Sequence, residues 1–295
     1  MIGHLQTVVA SLLPPPRVAL QRSRWETPDG DFVDVDFAGD AALPKLMVLF
    51  HGLEGSSDSH YARRLARVFP EAGWRVAIPH WRGCSGEPNR KPRAYHSGDT
   101  SEVDWMLRRF GRQVDAIGIS LGGNALLKWL GERSDRATDF VRRAAAISAP
   151  IDLPAAGRAL DRGLNRLLYT RMFLSTLKPK SLAQLERFPK LFDADKVRRS
   201  TTFREFDDLY TAPMHGFRDV DDYWTTAASG PWLEHIRLPT LVINARNDPF
   251  LPEASLLAAS RKAAPCVTLE LPRVGGHVGF RGAWLANRLV EFFRA

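Results

Sequence analysis

The sequence predicts an α/β protein: one mostly parallel sheet, helices on both of its faces, and an antiparallel hairpin at its start. Three observations predict this. Short uninterrupted apolar runs recur along the chain, as parallel strands buried on both faces require. Helical patterns lie between most of these runs. A strand that alternates apolar and acidic residues precedes them all. The chain has 295 residues, of which 44% are hydrophobic and 25% charged. That is an ordinary globular balance with length enough for a sizeable core, and it excludes disordered, collagen-like and coiled-coil classes.

At the start of the chain, Trp25-Glu26-Thr27 leads into the turn signal Pro28-Asp29-Gly30 and then into residues 31–37. There Val33, Val35 and Phe37 fall on one face and Asp34 and Asp36 on the other, which predicts a half-exposed antiparallel strand. Buried strands are expected at Leu46-Met47-Val48-Leu49-Phe50, Val76-Ala77-Ile78, Ala116-Ile117-Gly118-Ile119, Ala144-Ala145-Ala146-Ile147, Leu241-Val242-Ile243 and residues 267–271. Helices are expected over 59–69, 101–110, 121–130 and 283–293. Residues 151–235 break the rhythm, with helical patterns and no convincing strand. So long an insertion predicts a cap over the carboxyl edge of the sheet. The chain then divides into core 1–150, cap 151–235 and core 236–295.

The apolar stretch at residues 8–13 lacks a basic lead and runs into Pro14-Pro15-Pro16, unlike a secretory signal. No run approaches the ~20 apolar residues of a membrane-spanning helix. Two cysteines, Cys84 and Cys266, make no disulfide framework. These features predict a cytoplasmic protein.

The sharpest motif is Gly118-Ile119-Ser120-Leu121-Gly122, with an apolar strand running in and a helix running out. A nucleophile elbow needs that placement, with small residues flanking a serine held on a tight turn. A serine hydroxyl needs a base. The single histidine after residue 235 is His277, in the glycine-rich string Val274-Gly275-Gly276-His277-Val278-Gly279. Asp248, just past the strand at 241–243, is the candidate acid that orients it. Glu253 and Glu270 are less well placed rivals. His51-Gly52-Leu53-Glu54-Gly55 directly follows a buried strand, where the second oxyanion donor of such a site is found. The backbone N–H groups of Leu53 and Leu121 are the candidate pair.

Taken together, these strings resemble the α/β-hydrolase superfamily. Within it the sequence resembles the AB hydrolase 4 family, the YheT-like hydrolases and their eukaryotic abhydrolase-domain relatives. The likeness rests on His4-Leu5-Gln6-Thr7, His51-Gly52-Leu53-Glu54-Gly55, Arg82-Gly83-Cys84-Ser85-Gly86-Glu87-Pro88-Asn89, Tyr95-His96-Ser97-Gly98-Asp99, Gly118 to Gly123 and Gly275-Gly276-His277. The resemblance implies the α/β-hydrolase fold and a Ser–Asp–His hydrolase, here Ser120, Asp248 and His277, with esterase or lipase activity on small-molecule acyl esters. An acyltransferase or thioesterase would use the same three residues. A non-catalytic ligand-binding relative would be expected to have lost one of them.

Other residues carry weaker signals. Tyr95, His96 and Asp99 lie in the polar loop 82–99 and are candidates for substrate contact, as is His51. Ordering the loop by local hydrogen bonds is the alternative for the first three. Cys84 has no base beside it in sequence, and His80 stands at a strand end. Asp29, Asp31, Asp34 and Asp36 match no calcium loop. No phosphate-cradling or dinucleotide motif occurs, so no cofactor and no metal are expected.

The net charge is +8. Residues 158–204 hold twelve Lys and Arg against four Asp and Glu, and the rest of the chain holds 29 of each. The basic excess therefore belongs to the expected cap. Arg158, Arg162 and Arg166 recur at helical spacing, with Leu160, Leu164, Leu167 and Leu168 opposite, which predicts one basic amphipathic helix. Such a face suits an anionic lipid surface or an acidic acyl substrate, with plain solvation as the alternative. No nucleic-acid-binding pattern accompanies the charge, and a monomer is expected.

Overall fold

In the computed structural model, which describes residues 1–295, a single sheet of eight strands organises the chain. The hairpin forms β1 (Gln21–Glu26) and β2 (Phe32–Ala38). Each apolar run then forms a strand: β3 (Lys45–Phe50), β4 (Trp74–Pro79), β5 (Val114–Ile119), β6 (Val141–Ile147), β7 (Thr240–Ile243) and β8 (Val267–Glu270). Their spatial order is β1-β2-β4-β3-β5-β6-β7-β8. The pairs β1–β2 and β2–β4 are antiparallel and all others parallel. The strand order reverses around β3 and β5, so their carboxyl ends flank a crevice of the kind open α/β sheets use for ligands.

Four helices surround the carboxyl edge or support the loops that leave it: α1 (Ile2–Leu12), α2 (His60–Glu71), α3 (Thr100–Arg109) and α4 (Leu121–Arg133). Nearly every residue of α4 is buried, as its apolar composition requires of a helix inside the layer. The last helix, Trp284–Arg294, packs Leu289 and Phe293 into the cluster on one face of the sheet, beside Phe69 and Trp74. Helix α1 begins well before the apolar stretch at residues 8–13 and takes most of it in. No helix is long and apolar enough to cross a membrane.

The sequence misreads β2. Its aspartate face is buried, not exposed. Arg24 holds Asp34 through two bonds of 2.8 Å, and Arg22 holds Asp36 in the same way. Ser57 and His80 also donate to Asp36, at 2.6 and 2.8 Å. Burial alone would raise the Asp36 carboxyl. The bonds from Arg22, His80 and Ser57 outweigh it and hold the group well below the usual carboxylate range. The alternation is real, but β2 lies inside the sheet, between β1 and β4, where both of its faces are covered.

Between β6 and β7 the chain forms helices only. The predicted single helix through Arg158, Arg162 and Arg166 does not exist. Helix α5 (Leu153–Leu160) ends there, and the Asp161 carboxylate accepts the N–H groups of Phe203 and Arg204 at 2.7 and 2.9 Å. The helix resumes only at Gly163, whose φ of 49° turns the chain. Because the direction changes, Leu164, Leu167 and Leu168 are left exposed instead of packed opposite the arginines.

Candidate active site

Strand β5 enters the sheet's carboxyl edge between β3 and β6 and delivers Ser120 at its end. Ser120 has φ 52°, a left-handed backbone that a non-glycine residue adopts only when its surroundings force it. The surroundings do. A Cβ on Gly122 would lie 2.4 Å from the Phe50 carbonyl oxygen and 2.6 Å from that of His51. Only glycine lets α4 start this close to the end of β3.

The three polar side chains meet. Ser120 Oγ lies 2.9 Å from His277 Nε2, and His277 Nδ1 lies 2.9 Å from Asp248 Oδ2. The Asp248 side chain is buried, and its other oxygen accepts the Phe250 N–H at 2.8 Å. Phe250 lies against the imidazole with ring centroids 4.2 Å apart. Neither rival carboxylate shares this geometry: Glu253 faces Arg246, and Glu270 is held by Arg288.

The loop after β3 lies against the serine, since a Cβ on Gly52 would stand 3.2 Å from Ser120 Cβ. The Leu53 N–H donates to no protein acceptor, and that of Leu121 belongs to the first turn of α4, where such groups lack helical partners. Neighbouring atoms hold the loop. Tyr61 Oη accepts the Gly52 N–H at 2.9 Å. Tyr95 Oη accepts the Glu54 N–H and donates to the Glu54 carboxylate, both at 2.8 Å. Lys180, from the helix Arg171–Arg187, meets the same carboxylate at 2.8 Å and so ties the insertion to this loop.

The other sequence candidates divide. Tyr95 and His96 line the cavity above Ser120. His51 does not. It is fully buried, its Nδ1 bonded to the Gly52 carbonyl and its Nε2 accepting the Trp81 N–H, and burial lowers it to about 3. It is a neutral brace for the loop, not a substrate contact. Asp99 caps α3 and pairs with Arg93. His80 serves Asp36. Burial pushes the Cys84 thiol up to about 12, which leaves it without nucleophilic thiolate. No three His, Cys, Asp or Glu side chains converge to hold a metal.

Two groups of residues escaped the sequence. The first belongs to α1. Gln6 Oε1 accepts Asn247 Nδ2–H at 2.8 Å and the Gly275 N–H at 3.2 Å. Thr7 Oγ1 accepts the N–H of His277 at 2.9 Å. One helix therefore braces the acid loop and the histidine loop together. Gly3 makes this possible, since a Cβ there would fall 2.0 Å from the Asn247 carbonyl oxygen. The signal was the string His4-Leu5-Gln6-Thr7, which marked the resemblance but carried no assigned role.

The second is Asp207. It faces the cavity of about 570 Å³ that covers Ser120, among Phe173, Phe203, Phe206 and Trp224. Trp224 Nε1–H and the Thr211 hydroxyl donate to it at 2.8 and 2.6 Å. Burial nevertheless raises its carboxyl to about 6. A carboxyl whose folded pKa is raised favours the fold fully below its unfolded pKa and loses that contribution as pH rises through the folded value. Asp207→Asn should therefore match wild type in stability near pH 4 and exceed it above pH 6. The gain above pH 6 is on the order of 1–3 kcal/mol. Urea unfolding at the two pH values checks this, and an equal gap at both would contradict it.

The strand order, the strained serine after β5 and the loop-borne aspartate and histidine define the class: an α/β hydrolase. The family model described as "alpha/beta hydrolase fold" matches residues 45–281. The chain is 38% identical to the putative esterase YheT of Escherichia coli, over 98% of this chain and 89% of that one. It is 30% identical to the phospholipase ABHD3 of Mus musculus, over 91% and 68%, and 29% identical to a monoacylglycerol lipase of Saccharomyces cerevisiae, over 93% and 63%. Among solved structures, a serine hydrolase from Cycloclasticus zankles aligns with a TM-score of 0.64 at 17% identity, covering 94% of this chain and 98% of its own. The Pyrococcus furiosus esterase Pf2001 aligns at 0.61 and 15%, covering 95% and 98%. This chain belongs to the α/β-hydrolase family and, within it, to the YheT-like group.

Proposed function

We propose that this protein hydrolyses carboxylic esters of apolar acyl chains through an acyl-enzyme on Ser120. The observation that carries the reading is the continuous Ser120–His277–Asp248 chain, with both links at 2.9 Å. In this mechanism Ser120 Oγ attacks the acyl carbonyl carbon and gives its proton to His277 Nε2. Asp248 accepts from Nδ1–H, fixing the tautomer and stabilising the imidazolium. The Leu53 and Leu121 N–H groups donate to the tetrahedral oxyanion. Collapse breaks the carbon–oxygen bond to the alcohol, which leaves with the proton from His277. A water then gives a proton to His277, attacks the acyl carbon, and the acid departs as Ser120 recovers its proton.

The cavity walls support an apolar acyl group, since Leu153, Leu177, Phe203 and Trp224 of the insertion face Leu53 and Leu121 of the core. The relatives named esterase, phospholipase and monoacylglycerol lipase support an ester as the scissile bond. A series of p-nitrophenyl esters of increasing acyl length tests the reading. The expected result is turnover that rises with chain length as the cavity fills and then falls. Absence of turnover across the whole series would overturn it. Because the Leu53 donor is backbone, Leu53→Ala should keep kcat close to wild type. Loss of an oxyanion donor costs about 10²–10³-fold, so a fall of that size in Leu53→Ala would contradict the assignment.

A further inference from the structure

Helix α1 turns an apolar arc to solvent. Ile2, Leu5, Val9 and Leu12 fall within roughly 80° of arc at about 100° per residue, and Leu5 and Leu12 are 62% and 76% exposed. An adjoining side, Gly3, Gln6 and Ala10, is buried against the core. His4 of α1 stacks on Tyr169 with centroids 5.7 Å apart, which sets the helix beside the segment that resumes at Gly163. That segment exposes Leu164, Leu167 and Leu168, with Leu167 at 67%. Two unpartnered apolar surfaces from distant parts of the chain are thus neighbours. Exposed apolar side chains gathered on neighbouring elements are what a docking face presents.

The charge next to that face says what docks. Arg166, Arg171, Lys178 and Arg198 line a shallow cavity of about 560 Å³ that also takes in Leu167, and no Asp or Glu is in its walls. Of these four only Arg198 has a carboxylate partner, Asp195. Arg166 bonds the Thr201 hydroxyl and Lys178 the Ser200 carbonyl, so neither is in a direct ion pair. Leucines that insert and cations that remain above them are the two halves of an interfacial site for anionic lipid.

We infer that α1 and the segment 163–171 form one docking face for an anionic phospholipid bilayer, its leucines entering the acyl boundary and Arg166, Arg171 and Lys178 meeting lipid phosphates. The same elements touch the catalytic loops: Tyr169 packs on Phe250 at 4.6 Å, and Asn165 Nδ2–H donates to the Pro249 carbonyl. Docking there places the Asp248 and His277 loops at the lipid surface.

Sedimentation with vesicles tests this in the Ser120→Ala background, so that binding is read apart from any hydrolysis. The protein should bind phosphatidylcholine vesicles containing phosphatidylglycerol, and bind pure phosphatidylcholine far more weakly. Replacing Arg166, Arg171 and Lys178 together by alanine should weaken partitioning on the order of 100-fold, at about 5-fold per cation. Leu5→Glu with Leu12→Glu should weaken it at least about tenfold. Leu167→Glu repeats that arm should the α1 variant fail to fold. Equal binding to both vesicle types, or none to either at low salt, would overturn the inference. So would inorganic phosphate displacing the protein better than chloride of equal ionic strength, which would mark a free-anion site. Self-association abolished by Leu5→Glu, without vesicle binding, would give the face to a second copy of the chain.

Discussion

Replacing Ser120 by alanine is expected to lower kcat/KM on acyl esters by about 10⁴-fold or more while the melting temperature stays near wild type. The hydroxyl makes one hydrogen bond, to His277, in a site otherwise held by glycine packing and backbone. Alanine keeps the left-handed strain of φ 52° and removes only the hydroxyl. Steady-state kinetics beside a thermal melt separates the two effects. If the variant kept a tenth of wild-type activity, the reaction would not pass through this oxygen. If it unfolded, the hydroxyl would be structural, and packing alone would not hold the elbow.

Gly122→Ala should have a large effect on the fold itself. The new methyl would sit 2.4 and 2.6 Å from two consecutive carbonyl oxygens at the end of β3. Neither is the far end of a flexible side chain, so α4 or the His51–Gly52 turn must shift. Overpacking against backbone of this kind costs about 3 kcal/mol or more, which is roughly 6–12 °C in Tm for a chain of this class. The same shift moves Ser120 away from His277, so activity should fall further than stability alone explains. An unchanged Tm would mean that the elbow is looser than its contacts indicate.

What was legible in the sequence was whatever local order dictates. Ser120, Asp248 and His277 each follow a strand and sit among small or turn-forming residues, so position along the chain was enough to single them out. The strands were legible because burial on both faces leaves an uninterrupted apolar run. The β2 aspartates were misread because alternation reports two faces without saying what covers the second, here Arg22, Arg24 and His80. The helix through Arg162 was misread because the periodicity runs on across Asp161, where a tertiary bond to the backbone at Phe203 stops the helix. Gln6 and Thr7 were out of reach for a simpler reason. Their partners lie 241 to 270 residues away, and no local pattern encodes them. Asp207 looked like any acidic residue until packing set it in an apolar cavity.

In the proposed mechanism Ser120 is a nucleophile activated by His277. The most direct measurement is labelling with a fluorophosphonate followed by peptide mass spectrometry. One adduct on the Ser120 peptide, lost in Ser120→Ala and slowed by about 10³-fold or more in His277→Ala, is the predicted result. An unlabelled Ser120, or labelling that does not depend on His277, would contradict that mechanism.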